Sequence, residues 1–498
     1  MNNTKRNVNN SKPSLKKNLV YNFISQILTL IIPLFTTPYL SRVLGEEGNG
    51  QLSYSLSVIT VFLLFASLGF TTYGQREIAK VRDDKEARSK VFWEIILLRV
   101  ITTTVTYAVF FSLFFTTGFK KCNDLILIYS IEIFSTVFDV TFFYQGEEDF
   151  KSLAIRSISI RIATLILIFC LIKSSDDTWI YALCISVLYF FSFLVMWPNL
   201  KGKIVFVKLR NLSFKRHILP TFRIFIPQLA ITVYSVMDKL MIGWFATNSD
   251  YENGCYEQAY KINNIGLLLV TVISSVLAPR NTYDYKNGNT DKFKEHIDFA
   301  IHYTWMIGLP LIAGFIVLSK NLSSWYLGDG YDEVPLLLQI MSVRFVASGL
   351  SELYGNQIFI PIGKEKYYTI ATCAAALSNV VLNYFFITRW GATGAAITTA
   401  ICECLSATVL VIIAIRKNYF SFKTLFGCSW KYLVSSIVML ITIYFIQANL
   451  SYTIWSFLVT MVTGIIEYFL ILIILRDSFV LYWIQKFVNK IKKGKVKK

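Results

Sequence analysis

The chain has 498 residues, of which 54% are hydrophobic and 16% are charged, and its formal net charge is +18. Soluble globular domains carry close to a quarter charged residues, so this composition excludes a water-soluble protein and predicts one embedded in a membrane. The sequence carries no DNA- or RNA-binding module, so the positive charge does not indicate a nucleic-acid partner.

Fourteen apolar stretches follow one another along the chain, each close to the ~20 residues that a membrane-spanning helix requires. They lack the alternation typical of barrel strands, so we predict an all-α polytopic membrane protein. The first stretch follows a basic segment, Met1 to Lys17, and is too long for a signal-peptide core, so we expect it to be retained as a helix. The stretches cover residues 18–42, 50–74, 91–117, 123–145, 153–172, 178–197, 217–245, 256–280, 297–318, 335–360, 365–387, 391–415, 429–447 and 452–475.

Basic residues are concentrated in every second connection between the stretches. With the N-terminus inside, the inner segments hold 37 of the 49 Lys and Arg residues, Lys151 and Arg156 among them, and the outer connections hold 6. Under the positive-inside rule, this asymmetry predicts that both termini are cytoplasmic. The basic tail, Lys486 to Lys498, is expected to lie against anionic headgroups, so membrane lipids are predicted partners.

The eight cysteines and three histidines do not indicate a site for a metal ion. The cysteines are scattered through apolar stretches, without the pattern of a disulfide framework or the spacing of a zinc site. We therefore predict no metal and no cofactor.

Twelve charged residues lie inside the predicted spans. Each would cost ~2.5–3.5 kcal/mol facing lipid, even on the lenient insertion scale, so most must face protein or a hydrated cavity enclosed by the helices. In the alternative interpretation they are structural pairs, such as Asp238 with Lys239 or Glu257 with Lys261, or they snorkel to the interface. The basic members are Arg99, Arg161, Arg223, Lys239, Lys261 and Arg344, and the acidic ones are Glu132, Asp139, Asp238, Glu352, Glu403 and Glu467.

The spacing of these charges favours a shared interior. Glu132 and Asp139 are seven residues apart and are predicted on one face of the fourth helix, and Arg344 and Glu352 on one side of the tenth. A carboxylate whose proton or sodium occupancy differs between inward- and outward-open forms biases the equilibrium between them. The candidates for such coupling to H⁺ or Na⁺ are Glu132, Asp139, Glu352 and Glu403.

Prolines inside the predicted helices mark candidate hinges, because each removes a backbone hydrogen bond. The hinge candidates are Pro33 and Pro38 in the first helix and Pro227 in the seventh.

A weak internal similarity supports two related halves. Asn49-Gly50 resembles Asn253-Gly254, which lies 204 residues later, and paired prolines in corresponding helices are expected of a transporter built from repeats. We predict an N-terminal lobe over residues 1–216 (helices 1–6), a C-terminal lobe over 217–428 (helices 7–12), and helices 13 and 14 with the basic tail over 429–498.

The chain also carries five longer motifs: Pro33-Leu-Phe-Thr-Thr-Pro-Tyr-Leu-Ser-Arg-Val-Leu-Gly45, Tyr73-Gly-Gln-Arg-Glu-Ile-Ala79, Met237-Asp-Lys-Leu-Met-Ile-Gly243, Tyr256-Glu-Gln-Ala-Tyr-Lys261 and Gly391-Ala-Thr-Gly-Ala-Ala396. Together they resemble the Wzx-type oligosaccharide flippases of the polysaccharide transporter family, in the multidrug/oligosaccharidyl-lipid/polysaccharide superfamily. The resemblance implies a MATE-like fold of two pseudo-symmetric six-helix lobes plus two C-terminal helices, in the bacterial cytoplasmic membrane.

The resemblance implies transport without chemistry. Such proteins move undecaprenyl-diphosphate-linked oligosaccharide repeat units across the membrane by alternating access, for capsule, O-antigen or exopolysaccharide assembly. A diphosphate headgroup favours a cationic interior, because Arg can donate two parallel charged hydrogen bonds to its oxygens. Other membrane proteins of glycan assembly are candidate partners. The candidate substrate-binding residues are Arg99, Arg161, Lys261, Arg344 and, more weakly, Lys239.

Three alternative functions predict different features of the sequence. A MATE-like drug or cation antiporter would have a smaller, more aromatic and acidic cavity. Lipid II flippases use arginines in the first helix, where this chain has the neutral groups Asn22, Ser25 and Gln26. A membrane glycan polymerase or ligase would need a large outer loop with catalytic residues, and the outer connections here are short, so we predict that the protein is not an enzyme.

Overall fold

The structure, a computed structural model, describes the backbone of residues 15–116, 118–119, 121–417, 426–427 and 429–495, and side chains within those ranges from 31 to 486. Several features considered above lie outside the described side chains: the basic segment Met1 to Lys17, the neutral groups Asn22, Ser25 and Gln26, and the tail lysines beyond Lys486.

The described residues are predominantly helical and contain no β-strand. Short 3₁₀ turns occupy Thr136–Phe138, Ser175–Asp177, Pro198–Leu200 and Leu209–Asn211, and π-helical segments occupy Ser323–Leu327 and Leu353–Phe359. The α-helices are α1 (Leu15–Ser67), α2 (Phe70–Lys80), α3 (Lys85–Thr116), α4 (Asn123–Ser135), α5 (Thr141–Gly146), α6 (Phe150–Leu171), α7 (Thr178–Leu194), α8 (Lys215–Phe245), α9 (Ser249–Lys286), α10 (Thr290–Leu322), α11 (Val334–Met341), α12 (Arg344–Glu352), α13 (Glu365–Arg416), α14 (Ser429–Ala448), α15 (Ile454–Ile474) and α16 (Ser478–Lys495).

The helices account for all the predicted spans. Eleven segments of the described chain are long and apolar enough to cross a membrane. Two of them, Ile31–Lys80 and Glu365–Arg416, are 50 and 52 residues long, and each corresponds to two predicted stretches. The stretch 123–145 is divided between α4 and α5. The prediction of an all-α polytopic membrane protein is confirmed.

Both long segments are interrupted by a glycine with a positive φ angle. Gly45 (φ 67°, ψ −178°) breaks α1, and Gly391 (φ 49°, ψ −130°) breaks α13. This backbone geometry favours glycine because it has no Cβ. At the second break, the amide N–H of Ala392 donates to the Glu252 carboxylate (2.6 Å), which satisfies a donor where the helix restarts.

The predicted shared face of Glu132 and Asp139 is wrong, because the fourth span is not one continuous helix. α4 ends at Ser135, a 3₁₀ turn follows, and Asp139 is extended (φ −70°, ψ 103°). The Asp139 carboxylate accepts from the backbone N–H (2.8 Å) and the hydroxyl (2.5 Å) of Thr141, the first residue of α5. Asp139 therefore caps the start of the next helix.

The described chain divides into two compact units. Unit 1 comprises Met1–Leu44 and Ser55–Val236, and unit 2 comprises Gly45–Tyr54 and Met237–Lys498. α8 contributes residues to each of them. The predicted lobe boundaries at residues 216 and 428 remain predictions.

Each unit has its own apolar core. In unit 1, Phe92 of α3 packs with Phe142 and Phe143 of α5, with ring centroids 5.9 and 5.7 Å away. In unit 2, α10 packs against α14, and α14 packs against α15. These cores position the charged side chains described next.

Within unit 2, the segment Gly45–Tyr54 crosses α9 at very short range. A Cβ atom on Gly50 would overlap the carbonyl oxygen of Asp250, and one on Gly254 would overlap the carbonyl oxygen of Glu46. Small residues allow such close backbone approach between membrane helices. The two glycines are the pair that the internal similarity relates.

Candidate functional site

The charged residues of unit 1 are organised around Arg99. This side chain is fully buried, and its Nη1 lies 2.8 Å from Oδ2 of Asp139. The guanidinium also donates to the hydroxyl of Thr71 (2.9 Å) and to the carbonyl oxygen of Asp139. Its charge is therefore matched by a carboxylate and its two terminal nitrogens donate to oxygen atoms, whereas its Nε has no hydrogen-bond partner among the described residues.

Asp139 lines a cavity of about 410 Å³ in unit 1. Hydroxyl groups of Thr71, Thr136 and Tyr189 and the amide of Gln228 also belong to its lining residues. Because Arg99 is enclosed, the charged group that this cavity presents is the carboxylate. Direct contact between Arg99 and a substrate remains a prediction.

A second opening in unit 1 has a volume of about 270 Å³ and is lined by Arg156 and Arg161. Both belong to α6. Arg156, counted above with the basic residues of an inner connection, lies in the second turn of α6, which begins at Phe150. Tyr189 of α7 lines both this groove and the Asp139 cavity.

The charged residues of unit 2 are organised around Glu257. Its carboxylate lies 2.5 Å from Nζ of Lys239 and 3.2 Å from Nζ of Lys261, and accepts from the hydroxyl of Ser53 (3.1 Å). Lys239 is mostly buried, whereas the side chain of Lys261 is 42% exposed. Lys261 is therefore the cation of this group that a ligand can approach.

Tyr260 links this group to Arg344. Its ring centroid is 5.4 Å from Nζ of Lys239 and 5.3 Å from Cζ of Arg344, both within cation–π range. Arg344 is buried, donates to the Asn263 side-chain oxygen (3.2 Å) and lies 3.5 Å from Glu403. Lys239, Lys261, Arg344 and Glu403 thus belong to one charged cluster within unit 2.

Asp238 heads a separate polar cluster in unit 2. Its carboxylate accepts from the hydroxyls of Tyr256 (2.5 Å) and Thr399 (2.7 Å) and from the amide of Asn383 (2.6 Å). Its pairing with the neighbouring Lys239 is not observed among the described residues, because Lys239 pairs with Glu257. The alternative pairing of Glu257 with Lys261 is confirmed.

The four predicted coupling carboxylates occupy different environments. Asp139 and Glu403 pair with arginines. Glu352 accepts from the Asn356 amide and from the Tyr368 hydroxyl (3.5 Å). Glu132 is only 5% exposed, and among the described residues no hydrogen bond or ion pair reaches its carboxylate.

The hinge candidates lie inside helices. Pro33 and Pro38 are in α1 and Pro227 is in α8. The departure from helical geometry in α1 is at Gly45, seven residues after Pro38. The prolines remain predicted hinges, and Gly45 joins them as an observed break.

Two functional candidates were not predicted from the sequence. Glu257 is the common partner of both lysines. It lies 204 residues after Ser53, with which it shares a hydrogen bond, and this is the same offset that relates Asn49-Gly50 to Asn253-Gly254. The internal similarity was therefore the signal in the sequence that pointed to this position. Arg156 was missed because it was counted with the basic residues of an inner connection, although the predicted stretch 153–172 includes it. The other candidates divide between the units: Arg99, Arg161, Glu132 and Asp139 belong to unit 1, and Lys239, Lys261, Arg344, Glu352 and Glu403 belong to unit 2.

Sequence similarity to named proteins extends over most of the chain. The protein named "Putative O-antigen transporter" of Escherichia coli (strain K12) is 26% identical over 418 residues, which is 82% of this chain and 99% of that protein. The family described as "Polysaccharide biosynthesis protein" matches residues 15–282.

Solved structures share the fold. The structure titled "Lipid II flippase MurJ, inward closed conformation" has a TM-score of 0.71 at 20% identity and covers 93% of this chain and 99% of that chain. An inward-facing multidrug resistance MATE family transporter of the MOP superfamily has a TM-score of 0.64 at 19% identity and covers 80% and 98% of the two chains. With its membrane-spanning helices and these matches, the chain belongs to the polysaccharide biosynthesis protein family, and its fold is that of the multidrug/oligosaccharidyl-lipid/polysaccharide superfamily of transporters.

Proposed function

We propose that this protein is a flippase that moves oligosaccharide repeat units, linked to undecaprenyl diphosphate, across the bacterial cytoplasmic membrane by alternating access. The glycan is destined for capsule, O-antigen or exopolysaccharide. The observation that carries the proposal is the similarity to the Escherichia coli protein named "Putative O-antigen transporter", which spans 99% of that protein.

The charged interior suits an anionic headgroup. Unit 2 places Lys239, Lys261 and Arg344 in one cluster, with Lys261 partly exposed, and unit 1 places Arg161 in a groove. Guanidinium groups meet phosphate oxygens with two parallel charged hydrogen bonds, and an ammonium group adds a compact charge. Each unit by itself thus offers cations that we propose as contacts for the diphosphate. Flipping requires no bond to be made or broken, so the function needs no catalytic group.

Transport by purified protein tests the function. Full-length protein in proteoliposomes should move a fluorescent undecaprenyl-diphosphate-linked oligosaccharide to the leaflet where an added quencher reaches it, faster than protein-free vesicles do. Lipid II and a cationic dye, each supplied to the same vesicles, test the two rival transport functions. Movement of the dye or of lipid II, with no movement of the oligosaccharide lipid, would overturn the proposal.

The orientation in the membrane is part of the proposal. The excess of basic residues in alternate connections supports cytoplasmic N- and C-termini. In a background without native cysteines, Asn287→Cys, in an inner connection, should resist a membrane-impermeant maleimide added to intact cells, and Asp329→Cys, in an outer connection, should react. The opposite labelling pattern would reverse the assigned orientation.

A further inference from the structure

The groove of unit 1 that contains Arg156 and Arg161 differs from every other arginine site discussed above. It has a volume of about 270 Å³ and is lined by residues of α1, α6 and α7. A water molecule occupies roughly 30 Å³ in the liquid, so the groove has room for a polar headgroup rather than a single water.

Arg156 has donors that the described residues leave unused. Its guanidinium carbon lies 5.0 Å from the centroid of the Phe193 ring, and one terminal nitrogen lies 3.6 Å from the sulfur of Met196, a weak acceptor. Its Nε is buried and has no hydrogen-bond partner among the described residues. The aromatic ring and the thioether position the guanidinium without neutralising it.

Arg161 also has few hydrogen-bond acceptors among the described residues. Arg161 lies five residues after Arg156 along α6, and its Nε donates to the hydroxyl of Ser157 (3.3 Å). Among the described residues, no carboxylate lies within ion-pair distance of either guanidinium group. Asp139, whose cavity shares Tyr189 with the groove, is already paired with Arg99.

Arg156 and Arg161 are half-buried, and the other buried or half-buried arginines of the described chain are paired. Arg88 meets Glu147 at 2.5 Å, Arg99 meets Asp139 at 2.8 Å and Arg344 meets Glu403 at 3.5 Å. Pairing is how a protein keeps a buried cation for structural reasons, because an unpaired one is costly. Two neighbouring unpaired guanidinium groups that line one open groove therefore indicate an anion that arrives from outside the chain.

The position of the groove along α6 and its apolar lining indicate which class of anion binds there. α6 begins at Phe150, so at 1.5 Å per residue Arg156 and Arg161 lie ~9 Å and ~16 Å along the helix, between its end and its middle. Ile32, Ile160 and Leu188 line the same groove. We propose that this groove is a binding site for the phosphoryl group of a lipid, held by Arg156 and Arg161.

The phosphoryl group has two candidate sources: the diphosphate of the transported lipid, or a phospholipid headgroup resident in the groove. Assignment to the transported lipid rests on the proposed function, whereas the phosphoryl chemistry does not. Tyr189 extends from the groove lining to the Asp139 cavity of the same unit, so an anion held by the arginines lies next to that cavity.

Lipid binding by the purified full-length protein tests the site. Undecaprenyl diphosphate, phosphatidylglycerol and the uncharged undecaprenol are titrated in detergent and bound lipid is counted by native mass spectrometry. Losing two charge-assisted contacts in Arg156→Gln/Arg161→Gln should weaken binding of one or both anionic lipids by about 10- to 100-fold. Arg156→Lys/Arg161→Lys should recover part of the affinity. Arg223→Gln is the matched control, because it removes an exposed arginine of α8 outside the groove.

Selective weakening of undecaprenyl diphosphate assigns the site to the transported lipid, and selective weakening of phosphatidylglycerol assigns it to a resident phospholipid. Wild-type affinity for both anionic lipids in the double glutamine variant, or equal affinity of the wild type for undecaprenol, would overturn the site. The two single glutamine variants replace the double variant if it does not fold. Failure of the wild type to move the oligosaccharide lipid would overturn the proposed function and leave the phosphoryl site standing.

Discussion

Two buried carboxylates of unit 1 contribute differently to stability, because one has an ion-pair partner and the other has none among the described residues. Asp139 has Arg99 as an ion-pair partner at 2.8 Å, and Thr141 donates to it twice. Glu132 is equally enclosed but has no such partner among the described residues. Removing the charge of Asp139 leaves the buried Arg99 without its ion-pair partner, whereas removing the charge of Glu132 leaves no cation unpaired.

We expect Asp139→Asn to lower the free energy of unfolding by ~3–5 kcal/mol, the usual cost of leaving one member of a buried ion pair alone. Chemical unfolding of the purified protein in detergent, followed by circular dichroism, measures the change. Arg99→Gln should cost a similar amount. The double variant should cost less than the sum of the two, because both substitutions remove the same interaction.

Glu132→Gln is the matched control for this prediction. The amide has nearly the shape of the carboxyl group and leaves no ion behind, so a change within ~1 kcal/mol is expected. If both single substitutions cost the same, the ion pair is not what stabilises this part of unit 1.

At the level of elements, the break of α1 at Gly45 is a position where backbone strain can be measured without steric overlap of an added side chain. The φ angle of Gly45 is 67°, and a Cβ there would meet no atom within 4 Å. Gly45→Ala should therefore destabilise the protein by ~1–2 kcal/mol through strain alone, since a side chain rarely adopts this conformation. The same unfolding experiment measures it.

Gly314→Ala is the control for Gly45→Ala. Gly314 lies inside α10, has an ordinary helical φ angle and likewise leaves open space for a Cβ. Alanine is the better helix former, so Gly314→Ala should stabilise the protein by up to ~1 kcal/mol. Changes of the same sign at the two glycines would contradict the assignment of strain to Gly45.

The crossing of Gly45–Tyr54 with α9 predicts a steric effect of a different kind. A methyl group at Gly254 would overlap the Glu46 carbonyl oxygen, and backbone cannot move aside as a flexible side chain can. Gly254→Ala should cost ~1–3 kcal/mol, the range for overpacking.

Gly50→Ala should behave as Gly254→Ala does, and the double variant should be less than additive because one separation of the backbones relieves both overlaps. Additive losses, measured by the same unfolding titration, would show that the two glycines do not share one contact.

At the scale of the whole molecule, the spans were predictable and the pairing of charges was not. A run of ~20 apolar residues must be a helix in hydrocarbon, so hydropathy alone locates it. The partner of Lys239 is Glu257 of another helix rather than the adjacent Asp238, because neighbours in sequence project to different sides of a helix. Likewise, the break at Asp139 depends on a local capping contact that hydropathy does not register.

Directional transport by alternating access requires a factor other than the transported lipid to shift the equilibrium between the inward-open and outward-open forms. The predicted factor is an ion bound by Glu132, Asp139, Glu352 or Glu403. A proton or sodium ion can shift that equilibrium only by its difference in affinity for the two forms. Replacing the responsible carboxylate with its amide should therefore leave lipid movement in proteoliposomes insensitive to an imposed pH or sodium gradient, while the protein stays folded. Glu467→Gln, an acid of α15 that accepts from Thr442, is the control and should keep the wild-type response. Gradient-sensitive transport in all four amide variants would mean that none of these carboxylates couples the ion to export.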